Sequence, residues 1–374
     1  MNSTNSIWED ESIFCKNDFL IIGGGLAGLW CAFELQLKFK NARILILERG
    51  IFPTGASTRN AGFACFGSPT EMMYNADVMG EDKMWATVEM RYKGILKIRK
   101  IFGDAVIDYD HCGGYECLQH AQALQVDEKL PWLNKRMKAI TGNENSFSWS
   151  NEKLDQFGLK GFDNLIENSW EGGLHSGKLV LALQKHLQSN GVLILMGMEV
   201  SSIQKYESGY EVLTQVNQTF TTTNLIYCTN AFTQNLLPAL AVTPARGQVV
   251  VTSPIDGLQL KGTFHYDEGY YYFRNVGNRV LLGGARNKSF DNENTTELTT
   301  TPSIQDELFR FLTMHILPGK QFTLTNQWSG IMGFTANKEP VVEKVDENAY
   351  AVISCNGMGV ALSPVIAEKV AAMF

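Results

Sequence analysis

The chain has 374 residues, with 39 acidic against 32 basic side chains and a net charge of −7. That length supports a full core and predicts two domains, and the absence of a basic block argues against a nucleic-acid partner. No apolar run approaches the roughly 20 residues that span a bilayer. The seven cysteines are irregularly spaced and the polar N-terminal stretch has no export-signal core, so a cytoplasmic protein with free thiols is expected.

The first element is a short apolar strand opening residues 18–29, DFLIIGGGLAGL. Gly23, Gly25 and Gly28 follow it in the pattern G-x-G-x-x-G, and a helix begins at once. In such a turn the first glycine permits the bend. The second lets the backbone approach a pyrophosphate, and the third lets the helix sit close to the strand. The helix N-terminus offers free N–H groups and a partial positive charge. A second strand, Arg43 to Leu47, leads to Glu48, at the roughly 20-residue offset where a carboxylate meets ribose hydroxyls. The pattern predicts a bound dinucleotide without separating FAD from NAD.

Residues 51–70 are rich in Gly, Ser, Thr and Pro and read as a loop. Residues 71–103 carry Met84, Val88, Tyr92, Ile95, Ile98 and Phe102 near helical spacing and predict one long helix. Residues 104–122 read as strand, and Glu128 to Ile140 as helix. A further helix ends at Gly191, a strand runs through VLILMGMEV, and a meander occupies 203–227. Strands at ARGQVVVTS, YYYFRN and RVLLGGAR follow, then a helix over 302–317, a strand AYAVISC, and a glycine turn opening a terminal helix. Strands of nucleotide-binding type thus fall at the start, near 192–229 and near 350–355. A nucleotide domain interrupted twice by a second domain accounts for that spacing.

Four segments resemble the D-amino-acid-oxidase (DAO) superfamily of FAD enzymes: PTGASTRNAGF (53–63), CTNAFT (228–233), PARGQ (244–248) and GMGVALSP (357–364). The resemblance runs from the first strand almost to Phe374. It implies an α/β fold in which an interrupted, Rossmann-like FAD-binding domain (1–70, 165–235 and 330–374) carries a mixed, largely antiparallel β-sheet substrate domain (71–164 and 236–329). It also implies FAD as cofactor, held non-covalently because no attachment motif is found.

Carried over residue by residue, the resemblance gives Gly23, Gly25 and Gly28 to the pyrophosphate turn, Glu48 to the ribose and Arg49 to the adenosine. Ala56, Ser57, Thr58, Arg59, Asn60, Ala61 and Gly62 fall to the loop beside the ribityl chain and flavin ring. Val200 is placed against adenine, and Thr229 in the Thr-Asn-Ala turn. Gly357, Met358, Gly359, Val360, Ala361 and Leu362 are placed at the pyrimidine end of the flavin, where a helix N-terminus favours negative charge.

The expected activity is oxidation of the C–N bond of a small amine or amino acid by hydride transfer to flavin N5. The product is an imine, and oxygen or another acceptor takes the electrons. Met332 stands about where relatives hold a substrate-carboxylate arginine, and W-x-G-x4-T-x4-P is similar to gamma-glutamylputrescine oxidoreductases. Tyr271, Arg274 and Arg286 are therefore the expected substrate-orienting residues. Leu281 and Leu282 lie where sarcosine-oxidase relatives carry an oxygen-activating lysine. Two alternatives stand beside this reading: a flavin dehydrogenase serving a non-oxygen acceptor, and a flavin-binding assembly factor without turnover. His111, Cys112, Cys117 and His120 invite a zinc reading, but on a strand Cys117 and His120 would point to opposite faces, so no metal is expected.

Overall fold

The computed structural model of the chain describes residues 5–353 and 355–374. Two eight-stranded sheets organise it. In the first, Leu193–Met196, Ile44–Glu48, Asn17–Ile22, Thr219–Tyr227 and Ala349–Ile353 run parallel in that order, and Val341–Asp346 closes the edge antiparallel. Thr219–Tyr227 serves two arrangements. Its first half pairs antiparallel with Gly209–Thr214, which pairs with Val200–Tyr206 to make the meander. Its second half joins the parallel run.

Alternation along the first strand sorts its side chains between two cores. Phe19 and Ile21 pack under the helices Leu26–Lys38, Glu81–Phe102 and Gly359–Ala371. Leu20 and Ile22 pack with Tyr210, Val212 and Phe220 beneath the meander. Glycines set the helix spacing. A Cβ at Gly28 would fall on the carbonyl oxygen of Gly23, and one at Gly94 on that of Ala361. The dinucleotide-type helix therefore lies tight on its strand, and Glu81–Phe102 lies tight on the C-terminal helix.

The second sheet has the order Leu324–Phe334, Thr243–Thr252, Arg279–Gly284, Tyr271–Val276, Thr263–Tyr266, Gly114–Leu118, Asn164–Asn168, Phe147–Trp149. All its pairings are antiparallel except that of Thr263–Tyr266 with Gly114–Leu118. Helix Pro302–Phe311 covers one face through Ile304, Leu308 and Phe311, packed on Phe264, Phe273 and Leu282. The opposite face carries Val249, Val251 and Leu281 and meets Ala61 and Phe63 of the glycine-serine loop. Because Asn164–Asn168 and Leu324–Phe334 both belong to this sheet, borders at 165 and 330 fall inside its strands.

Several elements differ from the sequence expectation. The long helix over 71–103 is two helices, Pro69–Met79 and Glu81–Phe102, broken at Gly80, whose φ of +87° halts the first. The strand expected over 104–122 is only Gly114–Leu118, and His120 already opens the helix His120–Thr141. His175 is exposed and caps helix Ser176–Ser189 through Nδ1, whereas His186 is half-buried against Phe33. Among the described residues no group of three or more His, Cys, Asp or Glu is placed to hold a metal ion, and no helix is long and apolar enough to cross a membrane.

Candidate active site

A cavity of about 630 Å³ runs between the sheets, from the glycine turn at Gly23 to the inner face of the second sheet. Its first end is built mostly of backbone. Gly23 has a φ of +110°, and a Cβ there would sit 2.5 Å from the carbonyl oxygen of Cys228. Both oxygens of the buried Glu48 carboxylate accept backbone N–H bonds, Oε2 from Gly24 at 2.8 Å and Oε1 from Gly50 at 2.9 Å. That fixes the carboxylate beside the turn. Arg49 lies over the Phe232 ring at 3.6 Å, next to Met198 and Val200. Leu26 N, in the first turn of the helix, donates to Ser57 Oγ at 2.8 Å, so a hydroxyl already points at the anion-binding helix end.

The loop of residues 56–62 is self-organised by Asn60. Its Nδ2 donates to the carbonyls of Ala56 and Ser57, and its Oδ1 accepts from Gly62 N at 2.9 Å. Arg59 ties the loop to Thr54 and Ser329, and Trp328 Nε1 donates to the Arg59 carbonyl at 2.9 Å. The tryptophan of the W-x-G motif thus clamps the loop onto the second sheet. At the other extremity of the same wall Gly357, with φ +83°, turns the chain into helix Gly359–Ala371. The N–H groups of Gly359, Val360 and Ala361 sit in its first turn and have no i−4 carbonyl within the helix.

Gly23, Gly25, Glu48, Arg49, Ala56, Ser57, Arg59, Asn60, Ala61, Val200, Thr229 and Gly357 through Ala361 all line the one cavity. Gly28, Thr58, Gly62 and Leu362 do not. Gly28 acts through helix packing, Thr58 bonds the Pro53 carbonyl, and Leu362 is core. Gly62, with φ +71°, lies against the Leu174 carbonyl, where it admits no side chain.

The second end is built of side chains. A row crosses the sheet in register, from Glu116 through His265, Tyr272, Gly283 and Val249 to Trp328. A Cβ at Gly283 would enter the Tyr272 ring, so the glycine is what lets the tyrosine lie flat along the row. Phe63 packs edge-on against His265 (5.1 Å) and Tyr272 (6.0 Å). Beyond them the wall holds Glu71, paired to Arg91 at 2.9 Å, and Lys338 and Arg286. Burial lowers the pKa of His265 to about 4 and raises that of the Cys65 thiol to about 12 and that of Tyr272 to about 12.

Two of the three expected substrate residues are elsewhere. Tyr271 points to the opposite face, stacks on Phe311 at 4.4 Å and donates to Glu307 Oε1 at 2.6 Å. Side chains alternate along YYYF, and it is Tyr270 and Tyr272 that reach the cavity. Arg274 is buried and donates to the carbonyls of Gly62 (2.7 Å) and Leu174 (3.1 Å), a clamp between loop and sheet. Arg286 does line the cavity, held between the Phe290 and Phe334 rings at 4.7 and 5.1 Å.

His265, Glu71, Arg91, Tyr272 and Lys338 escape the sequence reading. One signal was available: Arg91 lies on the same helical stripe as Met84, Val88, Ile95 and Ile98, a charge on a core face that needs a partner. The others are brought together only by sheet register and helix packing.

The cradle that excludes side chains, the fixed carboxylate, the open helix N-termini and the cavity joining them fit an FAD molecule. The chain belongs to the DAO family, described as FAD dependent oxidoreductase, whose match spans residues 18–373. It is 24% identical over 361 residues to a probable oxidoreductase OrdL of Rhizobium meliloti (strain 1021), covering 93% of this chain and 80% of that protein. Among solved structures it resembles L-proline dehydrogenase from P. horikoshii, with a TM-score of 0.77 and 17% identity over 96% of this chain and 93% of that one. It also resembles glycine oxidase from Geobacillus kaustophilus, with a TM-score of 0.76 and 20% identity over 94% and 92%. The protein is an FAD-dependent oxidoreductase.

Proposed function

We propose that the protein oxidises the C–N bond of a small amine that also carries a carboxylate. The observation that carries this reading is a pair of cations at the second end of the cavity. Among the described residues Arg286 contacts Asn294 Oδ1 (3.3 Å) and two aromatic faces, with Tyr270 and Glu293 farther off. Lys338 has Asn75 Oδ1 (3.0 Å) and the Tyr74 ring (4.0 Å). Burial lowers the pKa of both, and among the described residues neither has a carboxylate within ion-pair distance, although Glu293 acts on Arg286 and Glu71 and Glu268 act on Lys338 from farther away. Two desolvated like charges in one cavity favour an anion between or beside them.

When bound, FAD supplies a two-electron acceptor that takes the α hydrogen with its electron pair, leaving an imine for water to hydrolyse. The chain's own residues do the rest. Gly23, Gly25 and Ser57 would receive the pyrophosphate, Glu48 the ribose, and Arg49, Val200 and Thr229 the adenosine side. The N–H groups of Gly359 to Ala361 would stabilise negative charge at the pyrimidine end. Arg286 and Lys338 orient the substrate carboxylate. Phe63, Tyr272 and Phe334 exclude water around the reacting carbon. The same reading divides the chain into an FAD-binding part around the first sheet and a substrate part around the second.

Anaerobic mixing of the FAD-loaded protein with matched pairs tests it: N-methylglycine against dimethylamine, and 4-aminobutyrate against butylamine. Bleaching by the carboxylated members alone is the expected result. Bleaching by 2-hydroxy acids instead would move the reaction to C–O bonds, and no bleaching by any member would leave an FAD-binding protein without this turnover. Reoxidation of the bleached protein by air, compared with an artificial acceptor, separates oxidase from dehydrogenase.

A further inference from the structure

His265 sits at the middle of the cross-sheet row, between Glu116 and Tyr272, and lines the cavity. It is 8% exposed, and among the described residues its Nε2 has no hydrogen-bond partner. Its two carboxylate neighbours are engaged elsewhere. Glu116 accepts from Ser68 Oγ at 2.9 Å and from Thr70 N at 3.1 Å, and Glu71 is bonded to Arg91. Phe63 offers only a ring edge. A buried polar atom left unpaired on a cavity wall is destabilising unless something that enters the cavity satisfies it.

We propose that His265 is a catalytic residue that contacts the substrate, its uncharged imidazole accepting a hydrogen bond from the substrate N–H. The assignment rests on the amine-carboxylate reading above. Among the polar groups of this wall, Arg91, Arg286 and Lys338 can only donate, and the Glu71 carboxylate is engaged by Arg91 through Oε1. The phenol of Tyr272 and the thiol of Cys65 hold their protons, for burial raises both, and so are weaker acceptors than a neutral imidazole nitrogen. The imidazole stays neutral for the same reason: burial outweighs the pull of the Glu71 carboxylate, and Arg91 adds to the burial effect. A neutral ring nitrogen is the acceptor that suits this chemistry. It leaves the substrate nitrogen's lone pair free to become the C=N π bond as the C–H pair departs to the bound FAD. Positive charge then grows on nitrogen, and the N–H···N bond strengthens as the reaction proceeds.

Two ring carboxylates of one shape test this: pyrrole-2-carboxylate, which donates an N–H, and furan-2-carboxylate, which cannot. Both are titrated into the FAD-loaded protein and read by perturbation of the flavin spectrum. The natural chain should bind the pyrrole about tenfold tighter, the worth of one hydrogen bond. His265→Phe should bring the ratio near one, and His265→Gln, which keeps an acceptor, should retain part of it. Arg286→Ala should weaken both ligands equally and leave the ratio alone. No preference in the natural chain overturns the assignment, as does a ratio unchanged in His265→Phe. If His265→Phe does not fold, a His265→Gln ratio above that of the natural chain overturns it too. Binding of neither ligand to the natural chain removes the anion reading and the assignment with it, a result distinct from equal binding of both.

Discussion

The two ends of the cavity are made of different material. At the first, glycines and backbone N–H groups form the walls, and the chain's own carbonyls leave no room for a Cβ at Gly23 or Gly28. At the second, the surface is a row of side chains on a sheet, Glu116, His265, Tyr272 and Trp328, with Arg286 and Lys338 beyond. A backbone surface can be changed only by moving the chain. A side-chain surface can be re-cut one residue at a time. The first therefore suits a constant cofactor, and the second suits a substrate that varies across relatives.

The contrast breaks most severely at the glycine end. Gly28→Ala should destabilise the protein by on the order of 4 kcal/mol and abolish FAD retention, because the clash is with backbone. Denaturant titration with and without added FAD would show it; a loss below 1 kcal/mol would mean that the helix can shift.

Arg274→Ala comes next, at about 2–3 kcal/mol, since it leaves the Leu174 carbonyl without its donor and the Gly62 carbonyl with only the Leu174 N–H. Its effect should fall on stability and FAD binding together, unlike a substrate residue, whose loss leaves the melting temperature in place.

The two kinds of buried titratable group should respond to pH with opposite sign. Burial lowers the pKa of His265 from 6.5 to about 4, so the unfolded chain takes up a proton first and stability falls as pH drops through that window. Burial raises Glu171 to about 8 and Glu116 to about 7, so the folded chain holds protons that the unfolded one releases, and stability falls as pH rises from about 4.5. The upper bounds are on the order of 3 kcal/mol for His265 and Glu116 and 5 kcal/mol for Glu171. The terms partly cancel below pH 6.5, so the alkaline loss should show clearly between 6.5 and 8. Melting temperatures of Glu171→Gln across that range should be flatter than those of the natural chain; an equally steep fall would sink the assignment.

Smallest, Tyr271→Phe should cost about 1 kcal/mol through the lost Glu307 bond and leave ligand binding untouched. A matching change at Tyr272, on the cavity side, should alter ligand affinity more than stability.

Legibility in the sequence follows the same divide. The glycine turn, Glu48 and the C-terminal turn could be read because each is a local device. The strand, bend and helix that make it are contiguous, and its function lies in where side chains are missing. The second wall could not be read in that way. Tyr271 was the wrong tyrosine of three because alternation says which residues share a face and not which face meets the cavity. Arg274 looked like a substrate residue because the sequence does not show that Gly62 and Leu174 present carbonyls to it. The break at Gly80 was missed because apolar positions keep helical spacing across it.

By itself, then, the sequence determined a dinucleotide type of cofactor, the α/β type of fold and the positions of both glycine bends, since short-range backbone geometry is encoded by neighbours in the chain, while the choice of FAD came from the family resemblance. Only the tertiary structure decided which charged and titratable groups meet in the cavity and which of them find an ion-pair partner. Arg286, Lys338, Glu71 and His265 come from segments far apart in sequence. Whether each is tied, neutral or free depends on sheet register and on how much water the packing excludes.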